Sequence, residues 1–298
     1  MSSTAGAAPY TAPPPGYRLP AGISLGPVRL QVADLARSTD YYERVLGLHV
    51  ADRESARAIL AAPSDTRPLV DLRERPGATP VPRRGRLGLY HFALLLPDRA
   101  SLGRFVAHLA GLGEQFGMAD HLVSEAIYLT DPDGLGIEVY ADRPRSSWRM
   151  QGEVLAMATD PLDLEDLVRA GTGQPWSGAP AGTRMGHVHL HVDDLEEAAA
   201  FYHAGVGLER IRLHFPGALF MSAGGYHHHL GTNTWAAGAP PAAERDARLL
   251  QWTIQLPDPS EVEAASRSLT DSGYQVRRDG GDVLSADPWG TTLRLTSR

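Results

Sequence analysis

Histidine is the most prominent reactive residue type in this chain. The 298 residues include 12 histidines but no cysteine and no lysine, so all 28 basic residues are arginines. Eight of the histidines fall in one stretch, from His187 to His229. Without thiols, disulfides and thiolate-bound metals are excluded, and without lysine so is Schiff-base catalysis. Imidazole and carboxylate groups are therefore the candidates for metal binding and acid–base chemistry.

The first half of the chain is repeated in the second half at a constant offset. The segment LGPVRLQVADLARSTDYYERVLGL at 25–48 returns without a gap as MGHVHLHVDDLEEAAAFYHAGVGL at 185–208. A second pair shares that offset, with HFALLLPD at 91–98 and QWTIQLPD at 251–258, and each is later followed by an Asp-Pro-x-Gly turn. The chain is therefore two halves, each made of two smaller modules.

Each module shows the same order of predicted elements. It opens with a strand of alternating apolar residues, passes an aspartate that can cap a helix, and continues through about three helical turns into short strands separated by Gly and Pro turns. Asp34 and Asp194 hold the capping position in the first and third modules. The pattern predicts an α+β fold of four βαβββ modules that pair into two open barrels enclosing cavities.

The repeat also divides the chain into segments. The Pro- and Ala-rich start is predicted to be a flexible tail, and the stretch between the halves to be a connector with one short helix in DPLDLEDLVRA. The predicted segments are the tail 1–24, modules one and two in 25–143, the connector 144–184, and modules three and four in 185–298.

Ligand-capable side chains recur at two positions of the module. In module order, the first strand carries Pro27, His91, His187 and Gln251, and the last strand carries Asp71, Glu138, His229 and Arg294. Modules two and three together offer two histidines and a carboxylate on three strands, a set that suits a non-haem Fe(II) centre with open positions for substrate and oxygen. An arginine in the remaining pair would repel a cation. We therefore predict one metal site between modules two and three, and a metal-free barrel from modules one and four.

One segment carries an extended motif that begins at a histidine. It reads His121, LVSEA, Ile127, Tyr128, LT, Asp131, Pro132, Asp133, Gly134, LGI and Glu138. Together with the strand GHVHLHVDDL at 186–195 and the four modules, this motif resembles the vicinal oxygen chelate (glyoxalase, bleomycin resistance and dioxygenase) superfamily. Within it, the resemblance is to the type I extradiol ring-cleaving dioxygenases of the catechol 2,3-dioxygenase group. It covers residues 25–143 and 184–298.

The resemblance implies an activity and roles for individual residues. His91, Glu138 and His187 would bind Fe(II), and His121 and Tyr128 would lie near the substrate hydroxyls. The reaction would be Fe(II)- and O₂-dependent meta-cleavage of a catechol-type aromatic, with that small molecule and O₂ as partners. A metal-binding oxidoreductase of aromatic catabolism is therefore expected.

The Tyr-His-His-His run at 226–229 resembles the paired histidines of the same family. In that alignment His228 is the catalytic acid–base residue, and His229 falls where glyoxalase-type relatives place a fourth ligand. Side chains alternate along a strand, so both rings cannot face the cavity unless the strand is bulged. Phe220 and Trp235 are candidates for shaping an aromatic pocket.

Two other functions fit the same residues. A glyoxalase-like isomerase or lyase would bind Zn²⁺, Ni²⁺ or Mn²⁺ through four ligands, His91, Glu138, His187 and His229. A metal-free protein that sequesters a drug or another small molecule would need none of them. Four protein ligands would indicate the glyoxalase-like enzyme, whereas three would indicate the dioxygenase. Purified protein without metal would indicate the sequestering protein.

The net charge and the hydropathy of the chain limit the classes of partner that we expect. The net charge is -7 and the arginines are scattered, which argues against a nucleic-acid partner. No run approaches the roughly 18–20 apolar residues of a membrane span, and the first residues lack the features of a signal peptide. We expect a cytoplasmic protein. The sequence leaves its oligomeric state open, a homo-oligomer included.

Overall fold

Two large β-sheets form most of the protein. The computed structural model describes residues 8–63 and 65–297. The strands are, in chain order, β1 (Thr11–Ala12), β2 (Ser24–Leu25), β3 (Val28–Val32), β4 (His49–Glu54), β5 (Arg57–Ala61), β6 (Val70–Glu74), β7 (Gly88–Leu95), β8 (Gly117–Asp120), β9 (Ser124–Thr130), β10 (Gly136–Asp142), β11 (Met150–Gln151), β12 (Val154–Leu155), β13 (Arg184–His191), β14 (Glu209–Ile211), β15 (Ala218–Ser222), β16 (Leu230–Asn233), β17 (Arg248–Leu256), β18 (Arg277–Asp279), β19 (Asp282–Ala286) and β20 (Thr292–Ser297).

The helices each follow an aspartate that caps the first turn. They are α1 (Leu35–Arg44), α2 (Arg99–Leu112), α3 (Leu164–Ala170), α4 (Leu195–Ala199) and α5 (Pro259–Asp271), with a 3₁₀ turn at Arg145–Ser147 and a π-helical turn at Ala200–Gly205 after α4. The side chain of Asp34 accepts a hydrogen bond from the backbone N–H of Arg37, and Asp194 does the same for Glu196 and Glu197. These carboxylates satisfy N–H groups that a helix start leaves without partners. The predicted α+β fold is confirmed.

The first sheet combines modules two and three. Its strand order is β1-β14-β15-β16-β13-β7-β10-β9-β8. The opening strands β7 and β13 pair antiparallel at its centre, with His91 opposite His189 and Ala93 opposite His187. The closing strands β10 and β16 flank them in parallel. The strands that carry His91, Glu138 and His187 are therefore adjacent.

The second sheet combines modules one and four. Its order is β18-β19-β20-β17-β3-β6-β5-β4, with β2 also on β17. Asp71, at the carboxylate position of the module, accepts hydrogen bonds from Arg29 and Arg73 at 2.8 and 2.9 Å. Arg294 pairs with Asp282. Arginine–carboxylate pairs thus occupy the place that corresponds to the candidate metal ligands. Each sheet takes one module from each half of the sequence repeat.

A buried tyrosine joins each odd-numbered module to the Asp-Pro-x-Gly turn of the next module along the chain. Tyr42 donates a hydrogen bond to Asp131 at 3.2 Å, and Tyr202 donates one to Asp287 at 2.8 Å. Burial raises the pKa of Asp131 to about 7 and that of Asp287 to about 6. Because both carboxyl groups are buried, each favours its protonated form.

The raised pKa of Asp131 predicts that stability falls with rising pH. In the unfolded chain this group loses its proton near its ordinary pKa of 3.8, whereas the folded protein keeps the proton up to about 7. Its contribution to the free energy of unfolding is therefore full below about pH 4 and is lost as the pH rises through about 7. We expect Asp131→Asn to flatten this dependence by on the order of 2 kcal/mol between about pH 5 and pH 8, measured by urea denaturation. The exposed control Asp40→Asn keeps the wild-type slope, and an equal slope in Asp131→Asn contradicts the prediction.

The N-terminal segment departs from the predicted flexible tail. β1 pairs with β14, and Leu19 is buried while its N–H donates to the carbonyl of Gly207 at 2.9 Å. Arg18 pairs with Glu209 at 2.7 Å. The prediction is therefore wrong for residues 8–24, because a composition rich in Pro and Ala does not reveal contacts with a distant module. Residues 1–7 of the predicted tail lie outside the described residues.

The connector between the halves contains several short elements of secondary structure. It contains the 3₁₀ turn, β11, β12 and the predicted short helix, α3, which packs on α2. A Cβ on Gly103 would lie 2.1 Å from the carbonyl oxygen of Leu167, so the two helices approach at backbone distance. In the part of the chain that the structure describes, no helix has both the length and the apolar character needed to cross a membrane.

Candidate metal centre

Three side chains from three adjacent strands converge on one point. The Nε2 atom of His187 lies 3.3 Å from Nε2 of His91 and 3.1 Å from Oε2 of Glu138. The same Glu138 oxygen lies 3.1 Å from Nε2 of His91. One ligand atom from each residue fits within a span of 4.8 Å. All three residues are buried. Among the described residues, these three form the group of histidine and carboxylate ligands that is compact enough to hold a metal ion.

A bulge in β13 sets the direction of the His187 ring. The pairing of β13 with β7 shifts register between Met185 and His187, which leaves Gly186 as the extra residue. The Tyr140 side chain fills the space beside it, and a Cβ on Gly186 would lie 2.0 Å from the tyrosine hydroxyl oxygen. Glycine is therefore the residue that allows this strand and the Tyr140 ring to pack together.

Adding a methyl group at the bulge is expected to disturb the site. We expect Gly186→Ala to lower the free energy of unfolding by about 1–3 kcal/mol, because Tyr140 must move in a packed interior. The control is Gly111→Ala in α2, where nothing lies within 4 Å of the added Cβ and a gain of about 0.5–1 kcal/mol is expected. Urea denaturation measures both. Wild-type stability in Gly186→Ala would show that the packing around Tyr140 is loose.

The electrostatics of the group favour a cation. Burial acts to raise the pKa of Glu138, but the neighbouring His187 and hydrogen bonds from His187 and His91 outweigh burial and hold the pKa well below its usual range. Burial lowers the pKa of His91 despite the adjacent carboxylate. An ionised carboxylate beside a neutral imidazole is the protonation state in which these two groups bind metals.

A cavity of about 380 Å³ opens beside the three ligands, and we call it the inner cavity. Its walls are mostly aromatic and apolar, with a few polar groups near the ligands. Besides the three ligands it is lined by Tyr90, Gly117, Met118, Ala119, His121, Tyr128, Met157, Thr159, His189, Phe215, Phe220, His228 and Trp235. An apolar pocket with a few convergent polar groups is typical of a small-molecule site.

His121 and Tyr128 form a hydrogen-bonded pair in the wall of the inner cavity. The Nδ1 atom of His121 lies 2.6 Å from the carbonyl oxygen of Ala158, which can only accept, so Nδ1 carries the proton. Nε2 is then the acceptor for the Tyr128 hydroxyl, also at 2.6 Å. The Tyr128 ring lies 5.7 Å from that of His91. Burial raises the pKa of Tyr128 well above its ordinary value, so the phenol stays protonated.

The rings of the histidine run at 227–229 point in different directions. His228 lines the inner cavity, with its ring centroid 4.2 Å from that of His187. His227 is fully buried behind it, and its Nδ1 lies 2.8 Å from Nδ1 of His228. His227 Nε2 in turn lies 2.8 Å from a carboxylate oxygen of Asp142. The run therefore connects the cavity wall to a carboxylate at the end of β10.

His229 faces away from the inner cavity. It lines a separate cavity of about 260 Å³ together with Tyr226 and Arg145, and its Nδ1 accepts a hydrogen bond from the N–H of Ala223 at 3.3 Å. The structure does not bring His229 to the other three candidate ligands. His228 and His229 both lie just before β16, outside any strand.

Four further histidines form hydrogen bonds to an amide side chain or to backbone carbonyls. His189 and His191 contact opposite ends of the Asn233 amide at 2.9 and 2.7 Å. The rings of His49 and His203 bond backbone carbonyls at 3.1 and 2.7 Å.

Several residues of the site were not identified from the sequence. Met157, Ala158 and Thr159 come from the connector, whose lack of a repeat gave no reason to place it at the cavity. Asp142 could have been identified, because it lies four residues after Glu138 on the same strand and therefore on the same face.

Comparison with known proteins agrees with this architecture. A family model described as the Glyoxalase/Bleomycin resistance protein/Dioxygenase superfamily matches residues 24–139 and 184–291. The chain belongs to this superfamily. A relative of this superfamily member, the catechol-2,3-dioxygenase of Bacillus subtilis (strain 168), is 41% identical over 268 residues, which is 89% of this chain and 93% of the relative.

Solved structures resemble this superfamily member along most of its length. Glyoxalase I from Zea mays superimposes with a TM-score of 0.55 at 19% identity and covers 92% of each chain. A Bacillus subtilis crystal structure superimposes with a TM-score of 0.64 at 13% identity over 94% of this chain and 86% of the other. At these identities the likeness shows the shared fold.

Proposed function

We propose that this protein is an Fe(II)- and O₂-dependent extradiol dioxygenase, an oxidoreductase that opens the ring of a catechol-type aromatic beside its two hydroxyls. The observation that carries the proposal is the group of three ligands, His91, Glu138 and His187, in the wall of an apolar cavity. The 41% identity to a catechol-2,3-dioxygenase supports the same reaction class.

The donor set fits a ferrous ion. Two imidazoles and one carboxylate are the ligands of non-haem Fe(II) oxygenases, in which the protein leaves coordination positions open. Their convergence, their burial and the ionised state of Glu138 all favour a divalent cation. When bound, the iron would hold a catechol and O₂ next to each other and allow electrons to pass from the ring to the oxygen.

His228 is proposed as the acid–base residue, and the hydrogen bonds behind it define its tautomer. In its neutral form His227 donates from Nε2 to Asp142, and its Nδ1 is then an acceptor. His228 must then donate from Nδ1, which leaves its Nε2 with a free lone pair. Because burial keeps the pKa of His228 well below its ordinary value, the ring is neutral and ready to take a proton from a substrate hydroxyl.

The His121–Tyr128 pair is proposed to orient the substrate. Both side chains line the inner cavity close to His91, and each is held by the hydrogen bonds described above. A fixed pair of polar groups next to the metal ligands can position ring oxygens without a large loss of side-chain entropy on binding.

Metal-dependent oxygen consumption tests the proposal. Aliquots of apoprotein are loaded anaerobically with Fe²⁺, Mn²⁺, Zn²⁺ or Ni²⁺ and mixed with catechol, and air is then admitted. We expect oxygen uptake and a yellow ring-fission product with Fe²⁺, and no uptake with Zn²⁺ or Ni²⁺. Absence of oxygen uptake by the Fe²⁺-loaded protein would refute the Fe(II)-dependent dioxygenase.

A glyoxalase-like isomerase is the second candidate, and the ligand count argues against it. That reaction would recruit His229 as a fourth ligand, but His229 lines a different cavity. Isomerisation of a thiol adduct by the Zn²⁺ or Ni²⁺ form would revive this candidate. Purified protein that binds a ligand equally well with and without metal would favour a sequestering protein.

A further inference from the structure

A second cavity of about 370 Å³, which we call the outer cavity, adjoins the inner one. The two share part of their walls, formed by Tyr90, His91, Gly117 and Tyr128. The two cavities therefore meet at Tyr90 and Tyr128, beside the candidate ligand His91. Each cavity alone is at the small end of the roughly 300–1,000 Å³ of ligand sites, so the pair offers room for a substituted ring.

The outer cavity is basic where the inner cavity is apolar. Its lining contains Arg83, Arg84 and Arg86 and no aspartate or glutamate. Arg86 is neutralised by Asp246, to which it donates a hydrogen bond at 2.6 Å. Within the described residues, Arg83 and Arg84 have no carboxylate within salt-bridge distance. Two guanidinium groups are thus available to an incoming anion.

Arg83 and Arg84 both line the outer cavity, and they lie close in sequence to Tyr90 of the shared wall. Arg84 also has a backbone φ of 55°, an uncommon conformation for a residue with a side chain, in the turn that precedes β7. Such conformations persist where the surrounding structure holds them, and they cluster at ligand sites.

We propose that Arg83 and Arg84 form an anion subsite, and that the preferred substrate is a catechol that carries a carboxylate on a substituent. The ring would lie in the inner cavity with its hydroxyls at the metal ligands, and the carboxylate would extend past Tyr90 to the two arginines. Arginine suits this task because its planar donors match the two oxygens of a carboxylate. This inference rests on the proposed function for the identity of the ring.

Selectivity between charged and neutral catechols tests the subsite. The probes are three catechol carboxylates, in which the carboxyl group is attached directly, through one methylene or through two, each compared with its methyl ester. In the wild type we expect kcat/KM for at least one acid to exceed that of its ester by about tenfold or more. In the double variant Arg83→Gln, Arg84→Gln that ratio is expected to fall to about one, while Arg53→Gln, an exposed arginine on β4 of the other sheet, keeps the wild-type ratio.

Binding measurements separate this inference from the dioxygenase proposal. Anaerobic titration calorimetry of the Fe²⁺-loaded protein gives the same acid-to-ester ratio without turnover. A preference for the acid that the double variant loses supports the subsite even if no catechol consumes oxygen. An acid-to-ester ratio near one in the wild type, or the same preference in the wild type and the double variant, overturns it.

Discussion

Replacing Glu138 with glutamine is expected to reduce both the Fe²⁺ content and kcat by more than about a hundredfold. Glutamine keeps the shape of the side chain but removes the only negative charge among the three converging ligands. Mutation of a residue that only hydrogen-bonds to a metal ligand already lowers metal affinity or activity by about 10–100-fold, so loss of the charge of a ligand itself should lower them more. Elemental analysis after anaerobic loading, with oxygen uptake on the same samples, measures the two effects together.

The matched control is Glu125→Gln on β9. Glu125 is also buried, but it pairs with Arg99 at 2.6 Å, away from the candidate ligands. This variant is expected to lose stability and to retain its metal. Wild-type metal content in Glu138→Gln would remove Glu138 from the ligand set, and equal metal loss in both variants would point to general unfolding.

His228→Gln is expected to lower kcat by about 10²–10⁴-fold, the usual contribution of general acid–base catalysis, with the metal content unchanged. His227→Gln and Asp142→Asn should have smaller effects on kcat and little effect on KM, because they act through the tautomer of His228. The ¹⁵N chemical shifts of His228 provide a direct check. They should report the Nδ1–H tautomer in the wild type and a mixture in Asp142→Asn.

His203→Gln is the control for these variants. His203 bonds the carbonyl of Leu208 in the helical region of module three and does not line the inner cavity. Wild-type kcat in His228→Gln would assign the acid–base role elsewhere, with His121 as the next residue to test. An unchanged His228 tautomer in Asp142→Asn would show that the hydrogen bonds at 227 and 142 do not control it.

The sequence predicted the module architecture because it repeats. Identical residues at a fixed offset identify equivalent positions in the two halves, and the uneven distribution of His and Glu among the module positions indicated that modules two and three pair in space. The N-terminal segment has no repeat partner, so its pairing with β14 could not be predicted from composition. The connector also has no repeat partner, so the contribution of Met157 and Thr159 to the inner cavity could not be predicted either.

The sequence predicted residues of the site less completely than the fold. His91, Glu138 and His187 are brought together. The alignment could not decide between His228 and His229, because the local backbone path determines which of the two rings faces the cavity. The structure places His228 in the wall of the inner cavity and His229 in another cavity. Arg83 and Arg84 lie in a turn outside any motif, and their position became visible only with the cavities in three dimensions.

The mass of the product made from catechol tests the central proposal most directly. Fe²⁺-loaded protein is incubated with catechol and a measured amount of O₂, and the product is analysed by mass spectrometry. We predict a ring-opened product heavier than catechol by the mass of one O₂, with one O₂ consumed per catechol and no hydrogen peroxide released. A quinone accompanied by hydrogen peroxide, or catechol recovered unchanged, would contradict the proposed ring cleavage.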